Sequence, residues 1–203
     1  MIQTVVLATR NPGKVAEFRR ILKVPNLTLL DLSAFPDAPE VAETADSYAG
    51  NALLKARAIA SYCKLPALAD DSGLEVDALG GAPGVKSARF AGEHAGFDIK
   101  LPKLLELMKA VPDEKRTARF RCALCLVDPR APYAEAMHTE GCVEGRIVSQ
   151  PQGMGGFGYD PVFVPASQHQ TMAELSQDDK DRLSHRGQAL RKMAAFIQRH
   201  PIP

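Results

Sequence analysis

The sequence predicts an α/β fold with a mixed central sheet and flanking helices. Two observations carry that prediction. Strand-like apolar runs alternate with helix-like stretches along residues 4–109, the pattern of layered α/β domains. Residues 117–148 then form a strand-rich run, the pattern of antiparallel hairpins.

The elements follow in order. Residues 4–8 are a short apolar strand. Asn11 is a good N-cap and Pro12 suits the first helical position, so a helix is expected over 12–22. A short strand is expected over 27–30. Residues 35–43 carry two prolines and several acids and read as a loop. Residues 47–63 are rich in Ala and Leu and read as a helix. A strand over 67–70 is expected to end in the turn Asp70-Asp71-Ser72-Gly73. Residues 79–92, rich in Gly, Ala and Pro, should be irregular. A helix is expected over 99–109. Residues 151–158 read as a glycine-rich loop. Ser176 and Asp179 have capping-box spacing, and one helix should run from there to about residue 199, before Pro201. The antiparallel run is a candidate second lobe, and a cleft between lobes is a common ligand site.

Composition narrows the function. The 203 residues suit one domain or two small lobes. The 25 Lys and Arg against 24 Asp and Glu leave a net charge of +1. That neutrality argues against coating duplex nucleic acid or an anionic membrane, yet permits a local anion pocket. No apolar run approaches the roughly 18 residues of a spanning helix. The first apolar run is short and its nearest cations, Arg10 and Lys14, follow it, so no signal peptide is expected and the cytoplasm is the expected compartment. The four cysteines are too few for a disulfide scaffold. Cys122 and Cys125 form a CxxC, but on a strand residues three apart face opposite ways, so buried thiols are expected rather than metal or redox chemistry.

Four segments carry chemistry. In the first, Thr9-Arg10-Asn11-Pro12-Gly13-Lys14, a capped helix start attracts phosphate and Lys14 adds a full charge. It also reads as a well-capped helix with a solvated lysine. In the second, Asp70-Asp71-Ser72-Gly73, two acids suit magnesium, which takes one or two carboxylates plus water and phosphate. Neighbouring strand residues point oppositely, so one acid faces a ligand and the other supports the turn; the plain alternative is a polar turn. In the third, four glycines lie within 153–158, allowing close backbone approach. There Phe157 offers a stacking ring and Asp160 an acceptor for a base N–H. A mobile loop with one buried aromatic is the other reading. In the fourth, Lys180 and Ser184 share a helix face, while His185 and Arg186 diverge from it unless the helix bends. A solvated basic face is the alternative.

Taken together, the chain resembles the inosine triphosphate pyrophosphatase family, the RdgB/Ham1-like proteins. The matching text is Thr9-x-Asn11-x-x-Lys14, Ala69-Asp-Asp-Ser-Gly73, Gly80-Gly-Ala-Pro-Gly84 with Ser87-Ala-Arg89, Gly155-Gly-Phe-Gly-Tyr-Asp-Pro161 and Ser184-His-Arg186. These segments occur in family order and span nearly the whole chain. The resemblance implies one two-lobed domain over residues 1–203, with two lobes around a long mixed sheet and the substrate in the cleft. It implies a homodimeric, Mg2+-dependent hydrolase that converts ITP, dITP and XTP to monophosphate and pyrophosphate, cleansing the nucleotide pool. It places phosphate binding on Thr9, Arg10, Asn11, Pro12, Gly13 and Lys14. It makes Asp71 the catalytic, metal-binding acid and Ser72 a substrate contact. Base binding falls on Phe157, Gly158, Tyr159 and Asp160, a substrate lysine on Lys180, and base reading on His185 and Arg186. The second metal ligand falls on Glu43, with Glu40 nearby. The chain departs from the family pattern at Gly50, where an acid is usual, and at Lys86, where an aromatic is common.

Selection would turn on purine position 6. Donors such as Arg186 or His185 pair with a keto oxygen and stay unpaired opposite an amine. Two rivals remain at this stage. One is a Maf-like pyrophosphatase acting on other nucleotides. The other is a non-catalytic nucleotide- or RNA-binding module, suggested by Arg116, Arg119 and Arg121 around Phe120.

Overall fold

The structure, a computed structural model, describes residues 3–92, 95–130 and 136–200. It contains strands β1 (Gln3–Leu7), β2 (Leu27–Asp31), β3 (Ala67–Val76), β4 (Thr117–Val127), β5 (Met137–Ile147) and β6 (Phe163–Pro165). Its α-helices are α1 (Pro12–Ile21), α2 (Tyr48–Cys63), α3 (Phe97–Leu107), α4 (Gln177–Leu183) and α5 (His185–Arg199). The strands form one six-stranded sheet in the order β2-β1-β3-β4-β5-β6. β1 pairs in parallel with β2 and β3, and β5 pairs antiparallel with β6, so the sheet is mixed as predicted. Residues 131–135, inside the strand-rich run, and Pro201, the expected helix stop, lie outside the described residues.

The chain divides into two compact units, with the division falling within β3, β4 and β5. The first comprises Met1–Asp71, Cys122–Gly141 and Arg186–Pro203. Here β1 is buried on both faces. Val5 and Leu7 pack with Phe18 of α1 and Leu190 and Met193 of α5. Val6 packs with Ala52, Ala56 and Ile59 of α2. Each large aliphatic side chain so buried contributes about 1.5–3 kcal/mol of transfer free energy. The second unit comprises Ser72–Arg121 and Cys142–His185. Its core sets Leu104 of α3 and Met108 against Leu74, Val76, Phe120, Ile147 and Phe163.

The cysteines behave as the strand period requires. Cys122 enters the core cluster of α1 and α5, and Cys125 that of α2. Both are free thiols, and burial pushes each up to about 12. Among the described residues no group of three or more His, Cys, Asp or Glu side chains is placed to hold a metal ion.

Two expectations need correction. The Asp-Asp-Ser-Gly segment is not a turn at a strand end. β3 continues to Val76, because Leu74 and Val76 keep the alternation going into the second unit's core and are fully buried. The last helix is not continuous either. Ser184 takes an extended conformation, ψ 151°, and separates α4 from α5. Helix α3 starts at Phe97, two residues earlier than the sequence suggested. Residues 79–92 are irregular as expected, with a 3-10 segment at Gly84–Arg89 and a cis Ala82–Pro83 bond.

Candidate active site

In the first unit the chemistry starts at the entry to α1. Asn11 caps the helix as predicted, its Oδ1 accepting from the N–H groups of Gly13 at 2.9 Å and Lys14 at 3.2 Å. Pro12 has no N–H to offer. The first-turn donors are therefore already engaged, and the charged group at this helix start is the Lys14 ammonium. Thr9 Oγ1 accepts from the Asn11 N–H. Arg10 points elsewhere: its guanidinium donates to the Ala38 carbonyl at 2.8 Å and braces the acidic loop.

The side chains of Asp70 and Asp71 diverge, as adjacent strand residues must. Asp70 is buried, with Lys14 Nζ 2.9 Å and Arg186 Nε 3.2 Å from its Oδ2. Burial alone would raise the Asp70 carboxyl; the Lys14, Arg186 and Lys55 charges outweigh it and hold the group well below the usual carboxylate range. Arg186 in turn contacts Glu17 Oε2 at 2.5 Å.

Asp71 faces a second set of partners. Its Oδ2 accepts from Asn51 Nδ2 at 3.1 Å, and its Oδ1 lies 3.7 Å from Lys55 Nζ. Lys55 also holds Glu43 at 2.5 Å. Burial pushes Asp71 up to about 6; Lys55 opposes that shift and the Glu43 charge adds to it. Two carboxylates that reach one ammonium offer the oxygen donors a hard divalent cation takes. Asp71 and Glu43 therefore fit a metal. Glu40 is exposed.

In the second unit the glycine-rich loop is closed by Asp160. Its Oδ2 accepts from the Phe157 N–H at 2.9 Å and from Lys180 Nζ at 2.6 Å. The Lys180 ammonium also lies over the Phe157 ring, 5.0 Å from its centroid. Asp160, expected as a base acceptor, is here a buried loop anchor. Tyr159 is buried as well, its hydroxyl donating to the Ser87 carbonyl at 3.2 Å. His185 is buried and stacked on Phe120, with centroids 4.8 Å apart and planes 10° apart. Ser72, half-buried, is the first residue of this unit. Ser176 caps α4, its Oγ accepting from the Asp179 N–H at 3.1 Å and donating to Asp179 Oδ2 at 2.7 Å.

The structure thus joins Lys14, Asp70 and Arg186 in one constellation, Asp71 and Glu43 in a second, and Phe157, Asp160 and Lys180 in a third. Sequence reasoning missed Lys55, Asn51 and Glu17. The signals were present. Asn51 and Lys55 are one helical turn apart, and Glu17 lies on the buried stripe of α1 with Lys14 and Phe18. Two of the three arginines behind the RNA-binding rival, Arg116 and Arg119, are engaged within the second unit. Buried Arg116 donates to the carbonyls of Met108, Ile147 and Val148, and Arg119 pairs with Asp77 and Glu144.

Lysine–carboxylate clusters at a capped helix start and on a central strand place the chain among α/β proteins that handle charged small ligands. More particularly, it belongs to the Ham1 family, whose model matches residues 5–196. The chain is 48% identical over 192 residues to a dITP/XTP pyrophosphatase of Geobacillus kaustophilus, covering 95% of this chain and 93% of that one. It is 42% identical over 198 residues to a dITP/XTP pyrophosphatase of Bacillus subtilis, covering 98% of each. The fold is similar to a HAM1 protein from Coxiella burnetii, with TM-score 0.87 and 38% identity over 97% of this chain and 99% of that one. It is similar also to the Staphylococcus aureus Ham1 protein, with TM-score 0.85 and 36% identity over 97% and 98%.

Proposed function

We propose that the protein hydrolyses the deaminated purine nucleotides ITP, dITP and XTP to monophosphate and pyrophosphate, clearing them from the nucleotide pool. The observation that carries this reading is the pair of adjacent acids on β3. Asp70 is charge-balanced by Lys14 and Arg186, while Asp71 is left with a raised pKa beside Lys55 and Glu43. The names of the relatives, dITP/XTP pyrophosphatases at 42–49% identity, support dITP and XTP as substrates and lend nothing to a Maf-like or RNA-binding reading.

The first unit's residues suit the triphosphate. Lys14 offers a cation at the start of α1, and Lys55 a second beside Asp71. Water attacks the α-phosphorus, the α–β anhydride bond breaks, and pyrophosphate leaves. Asp71 is suited to orient that water or accept its proton, because its raised pKa brings it towards neutrality. Asp71 and Glu43 would hold Mg2+, which when bound neutralises phosphate charge. In the second unit Phe157 offers a ring to the base. Base reading by His185 and Arg186 rests on the family resemblance. In this structure the Arg186 guanidinium is buried and paired with Glu17 and Asp70. The reading includes a homodimer in the cytoplasm. Among the described residues no helix is long and apolar enough to cross a membrane.

The test is a panel of ITP, dITP, XTP, ATP, GTP and dTTP, with and without magnesium, resolving pyrophosphate from phosphate. Magnesium-dependent pyrophosphate release, strongest on ITP, dITP or XTP, is expected. A preference for a pyrimidine overturns the substrate, and no turnover by folded, magnesium-loaded protein overturns the activity.

A further inference from the structure

The glycine loop of the second unit is bordered by an aromatic that no motif contains. Phe97 opens α3 and keeps 36% of its surface exposed. Its ring packs at right angles to Tyr159, with centroids 5.1 Å apart. The ring also lies beside Gly158, where an added Cβ would be 3.5 Å from it. Gly158 has φ +73°, so the loop turns there through a conformation that side chains rarely adopt, and the Phe97 ring lies within ordinary van der Waals range of the place a Cβ would take.

Phe97 is itself held from below. The Lys100 ammonium sits 4.8 Å from the ring centroid and donates to the Ala88 carbonyl at 2.5 Å. Lys100 is only 5% exposed, an unusual place for a lysine unless its ammonium is engaged. Tyr159 is tied to the adjacent Ser87 carbonyl. Two consecutive carbonyls, Ser87 and Ala88, thus anchor a Tyr159–Phe97–Lys100 stack, and the Phe97 ring of that stack lies beside Gly158, next to Phe157 in the chain.

We propose that Phe97, backed by Lys100, is a positioning residue for the base-binding loop. It limits the swing of Phe157 and Gly158 and so sets affinity for the nucleobase without touching the phosphate chemistry. The proposal rests on the pyrophosphatase reading and on Phe157 as the base platform. A pre-set loop lowers the ordering cost of binding, which appears in KM rather than kcat.

The experiment measures ITP hydrolysis by wild type, Phe97→Ala, Phe97→Tyr and Lys100→Met, with inorganic triphosphate as a competitive inhibitor that lacks a base. Phe97→Ala should raise KM for ITP by roughly three- to tenfold with kcat within about twofold, and leave the inhibition constant of inorganic triphosphate unchanged. Phe97→Tyr should restore KM, and Lys100→Met should raise it by a smaller factor. A general structural lesion would instead move kcat and triphosphate inhibition together, and that result overturns the proposal. Unchanged KM in Phe97→Ala with normal wild-type turnover also overturns it, leaving the pyrophosphatase reading intact. No turnover by the wild type overturns both.

Discussion

Arg186 and Glu17 lie 169 positions apart, yet the Arg186 Nη1 and Glu17 Oε2 atoms are 2.5 Å apart and both side chains are almost wholly buried. A buried ion pair is weak evidence of net stabilisation, but removing one partner strands the other. Glu17→Ala leaves the guanidinium with Asp70 while Lys14 still draws on the same carboxylate oxygen. We expect a loss of about 3–5 kcal/mol, and less in Glu17→Gln, which keeps an acceptor. Chemical denaturation checks this; equal stabilities for wild type and Glu17→Ala would show that the pair contributes nothing.

Asp71→Asn should separate activity from folding. Burial raises the folded-state pKa of Asp71 from 3.8 to about 6, so its charge costs the native state free energy that sets in as pH rises above 3.8 and is fully present above about 6. The neutral amide removes that cost and keeps the shape. The melting temperature should hold or rise, while pyrophosphate release falls by roughly two to three orders of magnitude or more. Near-normal turnover in this variant would remove Asp71 from the reaction.

Much of this arrangement was legible in the sequence, and the limits are instructive. Asn11 and Pro12 located the start of α1 because capping is local chemistry. The extent of β3 was not legible. Ser72 and Gly73 signal a turn locally, and only the burial of Leu74 and Val76 keeps the strand going. The Ser184 break was visible only as a conflict, since Lys180 and Arg186 could not share a continuous helix face. Lys55 stayed hidden because its meaning depends on Glu43 and Asp71, 12 and 16 residues away.

Gly156→Ala tests the closure of the glycine loop. Gly156 has φ +72°, and a Cβ there would collide with Asp160 Oδ2 and approach Lys180 Nζ. These two atoms form the ion pair that anchors the loop. The strained backbone costs of order 1–3 kcal/mol. We expect KM for ITP to rise by roughly tenfold, equivalent to about 1.4 kcal/mol. Steady-state kinetics beside a thermal melt check this; an unchanged KM would show that the loop is not where the base binds.

Asp77 supplies a test on the acid side. Arg119 grips it with two hydrogen bonds, at 2.9 and 3.0 Å, and Thr117 Oγ1 donates a third at 2.6 Å. The Arg119 and Thr117 hydrogen bonds hold this carboxyl below its ordinary 3.8. A depressed folded-state pKa contributes stability that is fully present above 3.8 and is lost as pH falls through the folded value. The side chain is 43% exposed, so solvent screening limits the contribution to under about 1 kcal/mol. Asp77→Asn should therefore lower the melting temperature by a few degrees at pH 7. The gap to wild type should shrink as pH falls below about 3.8, because wild-type Asp77 becomes protonated too. Melts recorded from pH 7 down to pH 3 decide the matter. A gap that stays constant over that range would mean that the lost stability comes from side-chain packing and not from the charge on Asp77.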